Sequence, residues 1–307
     1  MEAIKLHDLS KSYGKKYAVN HLDMAVPEGA IYGFIGQNGA GKSTTQKLIC
    51  GLTPSDSGEM RLYGEASDNA AIRSRVGMLI ESAGVYQSLT AQENMKLYGL
   101  AIGMDHLQEE MNRVLKLVGL SETGKKKVKQ FSLGMKQRLG IAIALLGNPR
   151  LLILDEPING LDPQGIIEFR EIILKLNHEL GMTIMISSHI LGELSKIATH
   201  YGIIKDGQMV KEMTKEDLES TCQNYICVRM EKAKMAADCL KKEFGLQQLK
   251  LAGEEELHIL DNVCSTKEIN HFLFQNGYTA GEIYMHRQDL EEYFLGLMGG
   301  GANAQLV

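Results

Sequence analysis

Short β-like runs at Ile4–Leu9 and Ile31–Ile35 are separated by a Lys/Gly turn region and by Pro27-Glu28-Gly29, which is turn chemistry. The second run feeds a glycine-rich loop, after which Ser43–Cys50 suits a helix stopped by Gly51 and Pro54, and Glu59–Tyr63 suits another strand. Residues 91–147 change character: apolar positions recur with helical spacing around Glu93–Leu100, Leu107–Val118 and Met135–Leu146, with almost no β signal. The apolar runs Leu151–Leu154 and Thr183–Ile186, with a helix Gly165–Leu180 between them, restore the strand pattern and predict a parallel sheet covered by helices. Asp206-Gly207 then marks a hairpin turn.

Beyond about Glu219 the elements shorten: a strand Tyr225–Met230, a helix Ala233–Phe244, strands near Gln248–Leu251 and Leu257–Leu260, a helix Thr266–Asn276, and a last strand and helix. The reading is a main domain over 1–219, with a helical subdomain at about 88–147, and a small α/β accessory domain over 220–307. A chain of 307 residues has room for one large core and such an appendage. No internal repeat is present, which excludes a solenoid or tandem units.

Composition narrows this little: 44% hydrophobic and 23% charged residues describe an ordinary folded chain, and only Gly299-Gly300-Gly301 reads as a disordered tail. A net charge of -5 argues against a general nucleic-acid footprint. Cys50, Cys222, Cys227, Cys239 and Cys264 lack paired spacing, so neither a disulfide framework nor a zinc site is indicated, and a reducing compartment is expected. His258, His271 and His286 form no ligand spacing, so no metal site is expected in the carboxyl domain. The amino terminus has no signal-like stretch and no segment reaches about 18 apolar residues, so a chain that is neither secreted nor membrane-spanning is expected.

The chemistry lies in separated motifs. Gly36-Gln37-Asn38-Gly39-Ala40-Gly41-Lys42-Ser43, followed by Thr44, fits G-x-x-x-x-G-K-[ST] between a strand and a helix. Its glycines let amides approach phosphate, Lys42 reaches the β/γ oxygens, and Ser43 offers a hydroxyl to Mg²⁺. A glycine-rich turn without function is the competing reading. Leu151–Leu154 ends in Asp155-Glu156-Pro157, placing two carboxylates at the edge where nucleotide sits in such sheets: Asp155 to hold Mg²⁺ through water, Glu156 to orient or deprotonate the attacking water. Alone, an acidic pair closing a strand is more often a cap.

Phe131-Ser132-Leu133-Gly134-Met135-Lys136-Gln137-Arg138-Leu139-Gly140, shortly before Asp155, resembles the signature sequence of ABC ATPases. The resemblance covers roughly residues 2–218 and implies a P-loop NTPase fold with a mostly parallel sheet, an antiparallel amino-terminal β subdomain and a helical subdomain. It also implies roles: Tyr13 as the aromatic that stacks on adenine, Asn159-Gly160-Leu161-Asp162 as the D-loop, and His189 as the switch histidine on γ-phosphate. Because the signature faces the phosphate of a partner subunit, a head-to-tail pair of such domains is implied, with ATP and Mg²⁺ as cofactors. Ser132 is also a good N-cap for the following helix, whose terminus suits an anion.

Two departures from the family pattern stand out. The usual Leu-Ser-Gly-Gly-Gln is here Phe131-Ser132-Leu133-Gly134-Met135, and Glu81 occupies the place of the Q-loop glutamine, judged by its spacing to Leu89–Asn94. Gln87 stands six residues too late. A carboxylate at Glu81 accepts from water or approaches Mg²⁺ but cannot donate. Together these departures resemble the branch that exports bacitracin-like or lantibiotic peptides and gives resistance to them. That resemblance implies an ATPase subunit on the inner face of the membrane, driving a separate permease through a groove near Glu81–Tyr86. The rivals are a soluble clamp acting on ribosome or nucleic acid, whose relatives carry two ATPase units or a long coiled-coil insertion, and a non-catalytic scaffold. Lys125–Lys129 reads as a solvated run, and the sixteen methionines as filler.

Overall fold

The computed structural model describes residues 1–81, 84–189, 191–221, 224–261, 263–286 and 290–297; Cys222 and the glycine tail fall outside them. The chain forms two compact units, Met1–Lys215 and Glu216–Val307.

The first unit runs β1 (Glu2–Tyr13), β2 (Lys16–Pro27), β3 (Ile31–Ile35), α1 (Lys42–Ile49), β4 (Ser57–Leu62), β5 (Glu65–Ala66), α2 (Ala70–Arg73), β6 (Val76–Leu79), α3 (Ala91–Ala101), α4 (Leu107–Leu117), α5 (Leu133–Ala144), β7 (Leu151–Asp155), α6 (Pro163–Leu180), β8 (Thr183–Ser188), α7 (Leu191–Leu194), β9 (His200–Lys205) and β10 (Gln208–Thr214). One sheet is antiparallel in the order β2-β1-β4-β5. The other has the order β10-β9-β3-β8-β7-β6 and is parallel except for β10, which returns from β9 through Asp206-Gly207. Strands β3 and β8 are buried at every position, as a sheet covered on both faces requires.

The sequence pattern missed β2 and β6, for different reasons. In the β1–β2 pair the register shifts at several points, and Asp8 and His21 both adopt positive φ, with their side chains hydrogen-bonded at 2.5 Å. Such bulges break the period-two alternation that identifies a strand. Strand β6 is four residues long and contains Gly77, where a Cβ would stand 2.2 Å from the Ala144 carbonyl oxygen of α5. Packing against α5 therefore sets that residue, at the cost of strand propensity.

Helix α8 (Lys215–Thr221) spans the point where the two units divide, and the expected boundary at 219/220 falls inside it. The second unit continues with β11 (Tyr225–Met230), α9 (Ala233–Phe244), β12 (Leu249–Leu251), β13 (Glu256–Ile259), α10 (Thr266–Gln275), β14 (Ala280–His286) and α11 (Leu290–Leu297). Its sheet is antiparallel, ordered β12-β13-β11-β14. Ile226, Val228, Leu257 and Ile259 on one face of that sheet pack with Ala236 and Leu240 of α9 and Ile269 and Leu273 of α10. The alternation places Tyr225, Cys227, Arg229, Glu256 and His258 on the other face.

Candidate functional site

After β3 the chain turns through Gly36, Gln37, Asn38, Gly39, Ala40 and Gly41 into α1. At Gly36 a Cβ would meet the Ile204 carbonyl oxygen at 2.6 Å, and at Gly41, with φ 111°, it would meet that of Ala18 at 2.4 Å. Both glycines are steric necessities of the turn. The buried Lys42 ammonium donates to the Gly36 carbonyl at 2.7 Å and to that of Gln37 at 3.3 Å, folding back over the loop. Ser43 and Thr44 lie half-buried in the first turn of α1, next to the loop amides. A loop of amides at a helix N-terminus with a lysine over it is an anion cradle.

Strands β7 and β8 bring the remaining groups to the same sheet edge. Asp155 pairs with Ser187, and the Ser187 hydroxyl donates to Asp155 Oδ1 at 2.6 Å while accepting the Glu156 amide at 3.0 Å. Those two bonds hold Glu156 at φ 46°, a left-handed conformation that a glutamate adopts only under constraint. Glu156 Oε2 meets His189 Nδ1 at 2.7 Å, and Oε1 stands 3.2 Å from Lys42 Nζ. That Oε1 is shielded from solvent and lacks any aligned hydrogen-bond donor. Lys42, Glu156 and His189 therefore form one connected chain at the mouth of the cradle. It contains a fixed cation, a poised carboxylate oxygen and a half-exposed imidazole.

Glu81 lies at the carboxyl end of β6 with φ 64°, largely exposed, and its carboxylate meets Lys47 Nζ of α1 at 2.5 Å. This hydrogen bond is the main influence raising the Lys47 ammonium above its ordinary range. The expected groove over 81–86 is described only in part, since Ser82 and Ala83 lie outside the described residues. The portion after it is firmly held: the buried Asn94 side chain accepts from the Tyr86 amide at 2.7 Å and donates to the carbonyls of Tyr86 and Thr90, while the Tyr98 hydroxyl donates to Gly84 O at 2.6 Å. Tyr13 ends β1 with its ring more than half exposed and Lys11 Nζ 5.8 Å above the ring centre, which leaves ring surface for stacking.

Ser132 caps α5 as the sequence indicates, its hydroxyl accepting from the Met135 amide at 3.2 Å, with Leu133 exposed beside Gly134. Asp162 caps α6, its carboxylate accepting from the Gly165 amide at 2.9 Å. In the lysine run, Lys127 is tied to Glu93 at 3.0 Å, and the Val128 and Lys129 amides donate to the Leu89 and Gln87 carbonyls. The segment leading into Ser132 is thus laced to the loop that follows Glu81.

Comparison with known proteins bears on the whole chain. Residues 19–159 match the family described as ABC transporter. The bacitracin transport ATP-binding protein BcrA of Bacillus licheniformis is 40% identical over 97% of this chain and 98% of its own. The chain belongs to the ABC transporter ATP-binding family. Among its homologues the lantibiotic transport ATP-binding protein SrtF of Streptococcus pyogenes is 46% identical over 73% of this chain and 97% of its own. A solved dimeric ATP-binding cassette in a post-hydrolysis state, bound to ADP and Pi, superposes with a TM-score of 0.63 at 26% identity, over 69% of this chain and 98% of that one. The fold is that of a P-loop NTPase.

In this ABC ATPase three polar residues without an assigned role in the motif reading join the site. Ser187 fixes both carboxylates of β7, Lys47 holds Glu81, and Gln46 donates to the Leu154 carbonyl at 3.0 Å, tying α1 to β7. For Ser187 the signal was its place at the end of an apolar strand. For Lys47 and Gln46 there was none, because a polar residue in a helix gives no sign of which strand it faces.

Proposed function

We propose that this chain is the ATP-hydrolysing subunit that drives a separate integral membrane permease, exporting or conferring resistance to a peptide antibiotic of the bacitracin or lantibiotic class. The observation that carries the reading is the Lys42–Glu156–His189 chain at the mouth of the phosphate cradle. In it Gly36–Thr44 bind the phosphates, Tyr13 stacks on adenine, Glu156 Oε1 receives the attacking water, and His189 contacts the γ-phosphate. A second copy supplies Ser132–Met135 to that phosphate and Asp162 near it, so the working unit is a homodimer or an equivalent pair. Catalysis is positioning plus electrostatic stabilisation of the transferring phosphoryl group.

The donor set suits Mg²⁺, since the Ser43 hydroxyl and the Asp155 carboxylate are hard oxygen ligands and Ser187 already orients the carboxylate. When bound, the ion neutralises charge on the β- and γ-phosphate oxygens. Glu81 fits a coupling role better than a metal ligand, because Lys47 engages its carboxylate. No helix among the described residues is long and apolar enough to cross a membrane, which fits a subunit held at the inner membrane face by its permease. Residues 1–219 serve as the nucleotide-binding domain and 220–307 as an accessory domain. The ribosome or nucleic-acid clamp is not favoured, the relatives named above being transport proteins.

Glu156→Gln is the test. We expect hydrolysis to fall by about 10²–10⁴-fold, the usual worth of a general base, and an ATP-bound dimer to accumulate on size-exclusion chromatography. Hydrolysis at the normal rate would remove Glu156 from the role. For coupling, Glu81→Ala is expected to bind ATP normally and to fail in export or resistance when co-expressed with the permease; full resistance would overturn that assignment.

A further inference from the structure

The sheet face of the second unit that α9 and α10 leave uncovered carries an unusual set of side chains. Cys227 of β11 lies opposite His258 of β13, and Glu256 stands two residues before His258 on the same face. The Cys227 sulfur, a Glu256 carboxylate oxygen and a His258 ring nitrogen lie within 4.8 Å of one another. Glu256 Oε1 already meets His258 Nε2 at 2.7 Å, while its Oε2 is held by Arg229 Nε at 2.7 Å. The Tyr225 ring packs against His258 with centroids 4.3 Å apart, which walls one side and fixes the plane of the imidazole.

The geometry points to a binding site for a borderline-soft divalent transition metal, Zn²⁺ above all, held by Cys227 Sγ, Glu256 Oε1 and His258 Nε2, with the fourth position left to water or to the Tyr284 hydroxyl, which is hydrogen-bonded to the Cys227 sulfur. Thiolate, imidazole and carboxylate together are the zinc ligand set, whereas Mg²⁺ and Ca²⁺ take oxygen ligands alone. Two ligands at ~2.0 Å in a tetrahedral shell stand ~3.3 Å apart, so Glu256 Oε1 and His258 Nε2 need to separate by only about half an ångström. Arg229 stays on the other carboxylate oxygen as an outer partner that orients the ligand. Its charge does not oppose the ion strongly, because Arg229 also pairs with Glu282 at 3.3 Å. Binding displaces the Cys227 thiol proton to solvent, and the thiolate and the Glu256 carboxylate together balance the charge of the dication.

The same three residue types could also make a cysteine–histidine–carboxylate catalytic set. Burial decides against it. Cys227 is 1% exposed, so no substrate carbonyl reaches its sulfur, whereas His258 and Glu256 keep 22% and 25% of their side-chain surface open and give a bare ion its way in. The sequence expectation of no metal site in this domain rested on the spacing of histidines and cysteines. It could not register a cysteine and a histidine made neighbours by strand pairing.

The test uses Co²⁺ as a spectroscopic stand-in on the full-length chain, without nucleotide. We expect one equivalent to give thiolate-to-cobalt charge-transfer absorption with intense four-coordinate visible bands, displaced by Zn²⁺ and accompanied by release of one proton. Cys227→Ser is expected to abolish the charge-transfer band, and His258→Gln and Glu256→Gln, near-isosteric changes at partly exposed positions, to weaken binding by about tenfold or more. Cys239→Ser and Cys264→Ser should leave the spectrum intact, and ATP hydrolysis should be unchanged in every variant. No charge-transfer band in the wild type, a band that survives Cys227→Ser, or affinity unmoved by both His258→Gln and Glu256→Gln would overturn the site. None of these readouts depends on the nucleotide-site assignment.

Discussion

The two units of this chain assemble their chemistry in opposite ways. In Met1–Lys215 the cradle is a contiguous stretch, Gly36–Thr44, and Asp155-Glu156 are neighbours in sequence, so backbone continuity builds each motif and the tertiary structure only brings the finished motifs together. In Glu216–Val307 the clustered groups come from different strands: Cys227 reaches Glu256 and His258 only because β11 and β13 pair in one register. A contiguous site is visible as a motif, whereas a cross-strand site depends on register and leaves no spacing rule behind.

If the units are energetically separate as well, perturbing one should leave the other unmoved. The largest effect is expected for Lys42→Ala, which removes the cation from the cradle: kcat should fall by about 10²–10³-fold, with hydrogen exchange in β11 and β13 unchanged. Conversely, Leu257→Ala cuts a fully buried side chain from the second core and should cost about 2–5 kcal/mol there, read as faster exchange of β11 and β13 amides with ATP hydrolysis intact. A change in both readouts from either variant would break the separation. Ser187→Ala should lower kcat by about 10–100-fold, since it releases both the Glu156 backbone and the Asp155 carboxylate from their set positions while leaving Gly36–Thr44 untouched.

The smallest effects concern the capping box of α3, where the Thr90 hydroxyl accepts the Glu93 amide at 3.1 Å and Glu93 accepts the Thr90 amide at 2.7 Å. Thr90→Ala should cost about 1 kcal/mol in denaturant unfolding. The Thr90 amide, with Lys127, holds the Glu93 carboxyl at about 2 against its ordinary 4.5. A carboxyl lowered on folding stabilises above its unfolded value and loses that contribution as pH falls through the folded one. The denaturation midpoint of Glu93→Gln should therefore lie below wild type at pH 7, the gap closing between pH 4.5 and 2.

Much of the first unit was readable in advance because its residues answer to local rules. Ile31–Ile35 appears with the predicted bounds, Ser132 caps α5, and the turn at Asp206-Gly207 joins β9 to β10. Strand β2 escaped because bulges at Asp8 and His21 interrupt its alternation, and β6 because packing demands a glycine in a four-residue strand. For Ser187 the sequence marked only a place at the end of an apolar strand, since the bond from its hydroxyl to Asp155 follows from the pairing of β7 with β8.

The sequence by itself determined the family, the order of the phosphate-handling motifs, the helical stretch between them and most element types, because turns, caps and apolar periodicity act over a few residues. The tertiary structure decided which distant groups share charge. It set Lys47 against Glu81, drew Lys42, Glu156 and His189 into one chain, and brought Cys227 beside Glu256 and His258. Those contacts depend on strand register and on helix placement over a buried core, which many residues fix collectively and no short motif encodes.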